Sequence, residues 1–284
     1  MAENSKISWT DHTFNPWIGC SSVSPGCKFC YAEVFAGRYL KVRWGNNPRH
    51  ITAASTWKKP LHWQKMAEKN NTRYRVFCAS LADVFEDNAE LIQPRAELWK
   101  LISATPNLDW LLLTKRPENY EKFFPEDWLK KAGYFPQNIW LGTTICNQAE
   151  YDTNWAILKA FQSRYAVNVS FISFEPLLGR ITLNNGAPDW SIIGGESGFL
   201  KDARPMELEW VQHLIKYIRA LNDPSRKIFF KQFGTQLAKK LKLKDGKGEN
   251  WEGQLSAMYN WLTVREIPFY TEKKSIANPQ PVLF

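Results

Sequence analysis

No stretch of this 284-residue chain is apolar for the length a membrane span requires. Its first residues, Met1-Ala2-Glu3-Asn4-Ser5-Lys6, are polar and lack the apolar core of a secretion signal. A cytoplasmic location without membrane contact is therefore the expectation. Cysteine is scarce and odd in number, at five residues. A disulfide framework uses cysteines in pairs in an oxidising compartment, so it is disfavoured. No internal repeat beyond a strand–helix unit is visible, and no second domain with its own core.

Apolar residues make up 44% of the sequence, enough for one large core or two small ones. Basic residues outnumber acidic ones, 37 to 28, for a net charge of +9. That balance is compatible with a nucleic-acid or nucleotide partner and does not require one. Fourteen Trp and seventeen Phe are many for this length. Most belong in the core, and any left exposed can stack on bases.

Three of the five cysteines fall in one run, Asn15-Pro16-Trp17-Ile18-Gly19-Cys20-Ser21-Ser22-Val23-Ser24-Pro25-Gly26-Cys27-Lys28-Phe29-Cys30. Pro16, Gly19, Pro25 and Gly26 keep most of it out of helix and central strand. A loop that bends this often can fold thiolates around one point. Soft thiolates select zinc, copper(I) or an iron–sulfur cluster. Zinc would need a fourth ligand, from His12 or His50. A four-iron cluster on three cysteines would keep one iron open for a small molecule. Spacing alone leaves both open. Cys78 and Cys146 fall in or just after apolar runs and read as core residues; His12 reads as structural.

After Cys30 the apolar residues Tyr31, Val34, Phe35 and Tyr39 recur at helical spacing, so the third cysteine opens a helix. Further on, apolar runs alternate with helical stretches. Strands are predicted at Tyr74–Ser80, Asp109–Thr114, Asn138–Thr144, Val169–Glu175, Asp189–Glu196 and Lys227–Gln232. Helices are predicted near Leu61–Lys69, Ala89–Thr105, Glu150–Phe161 and Glu207–Leu221. Short, nearly continuous apolar strands have both faces buried. With a strand before Cys20 this gives six to seven βα units, an α/β fold with a partial or complete parallel barrel. In such barrels the chemistry sits where the strands end. That edge carries Cys20, Ser80, Asp83, Thr114, Lys115, Thr143, Glu175 and Glu196. Residues 1–235 read as the barrel and 236–284 as a basic loop and irregular extension. Trp251, Trp261 and Phe269 are its candidates for packing back, and Asn278-Pro279-Gln280-Pro281 is its irregular end.

The cysteine run, with Ser173-Phe174-Glu175-Pro176-Leu177, Gly194-Gly195-Glu196-Ser197-Gly198 and Phe230-Lys231-Gln232-Phe233-Gly234, resembles the phage Gp37/Gp68-type family (DUF5131). That family is grouped with the radical S-adenosylmethionine (SAM) superfamily. The resemblance spans roughly residues 5–235. It implies a barrel of the radical SAM type, with Cys20, Cys27 and Cys30 as ligands of a 4Fe-4S cluster whose open iron chelates SAM. The superfamily's spacing between the last two cysteines and its aromatic, here Phe29, are present. The gap between Cys20 and Cys27 is longer than usual. By position, Phe29 would lie near the adenine. Ser80, Asp83, Thr114 and Thr143 would hold the rest of SAM, with Ser80 or Asp83 taking the amino group.

The function so implied is generation of a 5′-deoxyadenosyl radical, with Glu175, Glu196 and Lys115 as candidate catalytic residues and an electron-donor protein as partner. Lys115, Arg116, Arg180, Arg204 and Lys231 point to an anionic substrate, a nucleotide or nucleic acid undergoing modification or repair. Two other readings compete. One is a zinc-binding, non-catalytic nucleic-acid module. The other is a barrel hydrolase that uses Glu175 and Glu196 as a carboxylate pair.

Overall fold

The computed structural model describes residues 5–130 and 135–268. The expected packing of Phe269 and the irregular end at Asn278–Pro281 lie outside the described residues. Nine strands are present among them: β1 (His12–Phe14), β2 (Trp17–Ile18), β3 (His50–Ile51), β4 (Tyr74–Cys78), β5 (Leu108–Thr114), β6 (Ile139–Thr144), β7 (Val169–Phe174), β8 (Trp190–Gly194) and β9 (Lys227–Gln232).

Seven of them form one sheet in the order β1-β4-β5-β6-β7-β8-β9. Every neighbouring pair is parallel, in registers such as Val76 with Trp110 and Leu112 with Leu141. β1 and β9 are its two ends, so the sheet curls as an open half-barrel. The apolar stretch before Cys20 divides: β1 joins the sheet, while β2 pairs antiparallel with β3 as a separate ribbon. Pro16 stands between the two short strands and ends the first ladder.

Strand parity separates two cores. Val76, Trp110, Leu112, Ile139, Leu141, Ile172 and Ile193 face outward and pack with the helices. Those helices are Lys59–Lys69, Ile92–Ser103, Ala156–Tyr165 and Leu208–Ala220. The alternate residues Phe77, Leu111, Trp140, Phe171, Trp190, Ile192 and Phe229 face inward and form a second cluster with Trp9. Trp190 sits at its centre, with ring centroids 5.9 to 6.3 Å from Trp140, Trp9, Phe171 and Phe229. This aromatic layer fills the hollow of the half-barrel below the C-terminal strand ends.

The segment after β9 covers that strand's free edge. Glu266 N–H donates to Ile228 O and Phe230 N–H to Val264 O, and Phe229 bridges Arg265 in antiparallel fashion. Pairing an edge in this way removes exposed backbone donors. Trp251 is buried against Phe230 and Phe233. Gly195 and Gly234 let the chain after β8 touch the chain after β9: a Cβ on Gly195 would stand 2.2 Å from Phe233 O.

Trp190→Ala should cost about 3 to 5 kcal/mol, because it empties the centre of the inner layer. The check is urea denaturation, with a lower midpoint and an unchanged slope expected.

Candidate functional site

Where the strands end, one cavity of about 270 Å³ opens above the aromatic layer. Trp9, Phe77 and Leu113 line its apolar floor, and Cys20, Cys27 and Cys30 line its rim. Ser80 and Asp83 after β4, Lys115 after β5, Thr144 of β6, Ser173 and Glu175 at β7, Glu196 after β8 and Lys231 of β9 complete it. A small-molecule site of this kind combines apolar walls with a few placed polar groups.

Local chemistry holds the cysteine loop over the cavity. Asn15 donates to Ser80 Oγ and accepts from Leu81 N–H, and Gly19 N–H donates to Leu81 O. Ser24 caps the tight turn Pro25–Cys27 by accepting from Gly26 N–H, and its hydroxyl donates to Glu150 at 2.5 Å. Glu150 also accepts from Cys146 N–H, so the loop is tied to the end of β6. Gly26 is required at this contact, since a Cβ there would lie 2.5 Å from Cys146 Sγ. Cys30 then caps a helical turn, Tyr31–Phe35, as its spacing predicts.

Arg116 joins this loop to the strand ends. Its guanidinium donates to Asp83 at 2.9 Å, to Cys20 Sγ at 3.6 Å, and to both the carbonyl and the hydroxyl of Ser21. Arg116 and Asp83 are buried, and the mutual attraction of Arg116 with Asp83 and Cys20 holds the guanidinium above its usual basicity despite burial. Beside it, Glu86 accepts from Ser21 and forms a two-bond pair with buried Arg49. Charges taken out of water in this way must be paired and hydrogen-bonded.

The five cysteines carry free thiols. Burial, aided by Asp83, pushes the Cys20 thiol up to about 12, against the pull of Arg116. Burial raises Cys30 as well. The Lys115 ammonium lies among Cys146, Cys27 and Cys30. Burial opposes its charge, yet these sulfurs and Asp83 hold it above the ordinary lysine range. Without a bound cation Cys20 and Cys30 stay protonated at neutral pH; a metal would have to draw the protons off. Cys78 is fully buried in the outer core, as expected. Cys146 is buried too, but beside Cys27 rather than remote from the loop.

Among the described residues no group of three or more His, Cys, Asp and Glu converges on a single ion. His12 faces away from the cavity, stacked on Trp63 at 4.3 Å, and His50 is exposed on the β3 ribbon. Neither closes a zinc site with the thiols. A four-iron cluster is gripped at separate corners by separate thiolates. Cys20, Cys27 and Cys30 line one rim and are the soft donors such a cluster takes.

Other site residues are placed as follows. Phe29 lines the cavity, with the Lys28 and Arg204 cations 5.2 and 5.4 Å from its ring centroid. Ser80 lines it with a hydroxyl shared with Asn15. Asp83 and Thr114 line it too but bind each other, and Asp83 also takes Lys115 N–H, Phe85 N–H and Arg116. Asp83 is thus a tether more than a ligand arm. Thr143 does not line the cavity. It is buried, with its hydroxyl on Thr114 O, because strand parity turns it outward and Thr144 inward. Glu175 pairs with Lys231 at 3.0 Å, and Glu196 is locked to Arg204 by three contacts. Both carboxylates are therefore held by a cation. Of the five proposed anion contacts, Arg116, Arg204 and Lys231 are in ion pairs and Arg180 meets His213 outside the cavity. Arg49, Glu86 and Cys146 join the site without a sequence signal.

Fold and site together define an open parallel α/β half-barrel with a thiol-bearing loop across its C-terminal strand ends. The family model that matches residues 4–260 is described as a protein of unknown function, DUF5131. The chain belongs to that family. No curated protein matches it. A solved spore photoproduct lyase double mutant, with bound AdoMet and dinucleoside spore photoproduct, is similar at 12% identity and a TM-score of 0.48. A second spore photoproduct lyase mutant is similar at 13% identity and a TM-score of 0.44. Each match covers 84% of this chain and 61% of the other, so the chain spans about three fifths of their length.

Glu86→Gln should destabilise the protein by about 3 to 5 kcal/mol, since it leaves Arg49 buried without its counter-charge. Burial raises the Glu86 carboxyl, but Arg49, Ser21 and Arg116 outweigh it and hold the folded value below 4.5. Its contribution is therefore complete above the ordinary carboxylate range and fades as pH falls through the folded value. Denaturation midpoints between about pH 7 and pH 3 should fall more steeply in wild type than in Glu86→Gln.

Proposed function

We propose that this chain is an iron–sulfur enzyme of the radical SAM type. Cys20, Cys27 and Cys30 are read as ligands of a 4Fe-4S cluster, with S-adenosyl-L-methionine at the remaining iron. One observation supports the reading: three free thiols on one loop line a single cavity at the strand ends. When bound, the cluster and SAM supply one-electron cleavage of the sulfonium and with it 5′-deoxyadenosyl radical chemistry.

The chain's own groups have distinct tasks in this reading. The Arg116 N–H directed at Cys20 favours the thiolate and fixes its orientation. Lys115, set among the sulfurs, offsets negative charge accumulated there. Phe29 offers a face to an adenine, and the hydroxyls of Ser80, Thr144 and Ser173 face the cavity for the polar parts of SAM. Trp9, Phe77 and Leu113 keep water from below. The Lys231–Glu175 pair, 20% and 13% exposed, is the polar group best set to meet a substrate. With a net charge of +9, a nucleotide or nucleic acid is the substrate class proposed. An electron-donor protein completes the scheme.

Anaerobic reconstitution with iron, sulfide and SAM tests this. Wild type should turn brown and, once reduced, release 5′-deoxyadenosine and methionine. Cys20→Ala or Cys27→Ala should abolish both colour and product. Lys115→Met should keep the colour and lower the product at least about ten-fold, a loss of roughly 1.4 kcal/mol in barrier terms. A colourless protein holding one zinc per chain, or hydrolysis in air without SAM, would contradict the reading.

A further inference from the structure

The helical segment that follows Cys30 is inverted. Tyr31, Val34, Phe35 and Tyr39 recur at the spacing of a buried apolar stripe. Tyr31–Phe35 and its continuation Ala36–Leu40 instead bury only Ala32 and Ala36. The large side chains face solvent, Tyr31 at 53% and Tyr39 at 63% exposure, and Phe199 joins them at 51%. Arg38 links the two parts, its guanidinium 5.6 Å from the Phe199 ring centroid. Seven of the twelve large apolar side chains exposed among the described residues lie in 23–40 or at Phe199. Apolar exposure this concentrated marks a binding surface.

Its charge names the partner. Lys28, Arg38, Lys41 and Arg43 are exposed in and around the segment, against a single acid, Glu33. Exposed aromatic rings interleaved with cations suit a single strand, whose bases stack while its phosphates meet the cations. The cations alone would also suit an acidic protein, but rings alternating with cations beside a cavity mouth fit a strand with stacking bases better. The surface also runs into the cavity: the Tyr31 hydroxyl donates to Ser80 O, and Tyr31, Phe29 and Ala32 line the opening. We infer that Tyr31–Leu40 and Phe199 form a binding face for single-stranded nucleic acid that leads a strand to the mouth of the cavity. The inference rests on the proposed reading in taking nucleic acid as the substrate.

The test is fluorescence anisotropy with the full chain and labelled oligothymidylate, oligouridylate and a mixed-sequence duplex. Single strands should bind more tightly than the duplex and weaken as salt rises. Tyr39→Ala and Phe199→Ala, both at exposed positions, should each weaken binding roughly ten-fold. Arg38→Gln should weaken it and flatten the salt slope. Absence of binding at low salt, equal binding of duplex, or Tyr39→Ala and Phe199→Ala variants that bind like wild type would overturn the inference. So would a dimer of the chain that Tyr39→Ala dissociates, since a second copy would then cover the face. Release of 5′-deoxyadenosine without any oligonucleotide binding would overturn this surface and leave the cavity reading intact. Binding that depends on Tyr39 and Phe199, without cluster or product, would support the surface and remove the cavity reading.

Discussion

A buried guanidinium holds the site together. Arg116, just past the C-terminal end of β5, contacts Asp83 after β4 and Cys20 and Ser21 on the cysteine loop. Removing it would strand Asp83 in a low-dielectric setting and free the loop from the strand ends. The neighbouring Arg49–Glu86 pair has the same logic, with both side chains 3% exposed. Cys20 is set by this charged framework as much as by the loop's own turns. Such a framework adds little net stability by itself, but it penalises any arrangement in which its members part.

The architecture was legible because its signal is local. Runs such as Leu108–Thr114 and Lys227–Gln232 carry apolar residues on both parities, as a strand covered on both sides does. The polar residues at their ends, Thr143 apart, do collect around one cavity. The split of the stretch before Cys20 into β1 and β2 was not legible, since which of two short strands joins a sheet depends on distant partners, here Val76 and Ile51.

The site was legible only in part, and each miss has a physical cause. Thr143 and Thr144 differ by one step of strand parity, which an apolar run on both faces does not reveal. Asp83 stands where a ligand arm is expected, but its oxygens are taken by Thr114, Arg116 and two backbone amides. Arg49 and Glu86 are far apart from Cys20 in sequence, and no spacing rule connects them. The period of Tyr31, Val34, Phe35 and Tyr39 told of a helix but not of which way its apolar face turns. A period shows that one face is apolar, not whether that face meets the core or a partner.

The central claim is that three loop thiols hold a cluster with one corner open to a sulfonium ligand. Electron paramagnetic resonance of the anaerobically reconstituted, reduced protein tests it most directly. The account predicts a reduced-cluster signal that changes when SAM is added and is missing in Cys20→Ala. A signal indifferent to SAM, or no cluster signal in wild type, would contradict it.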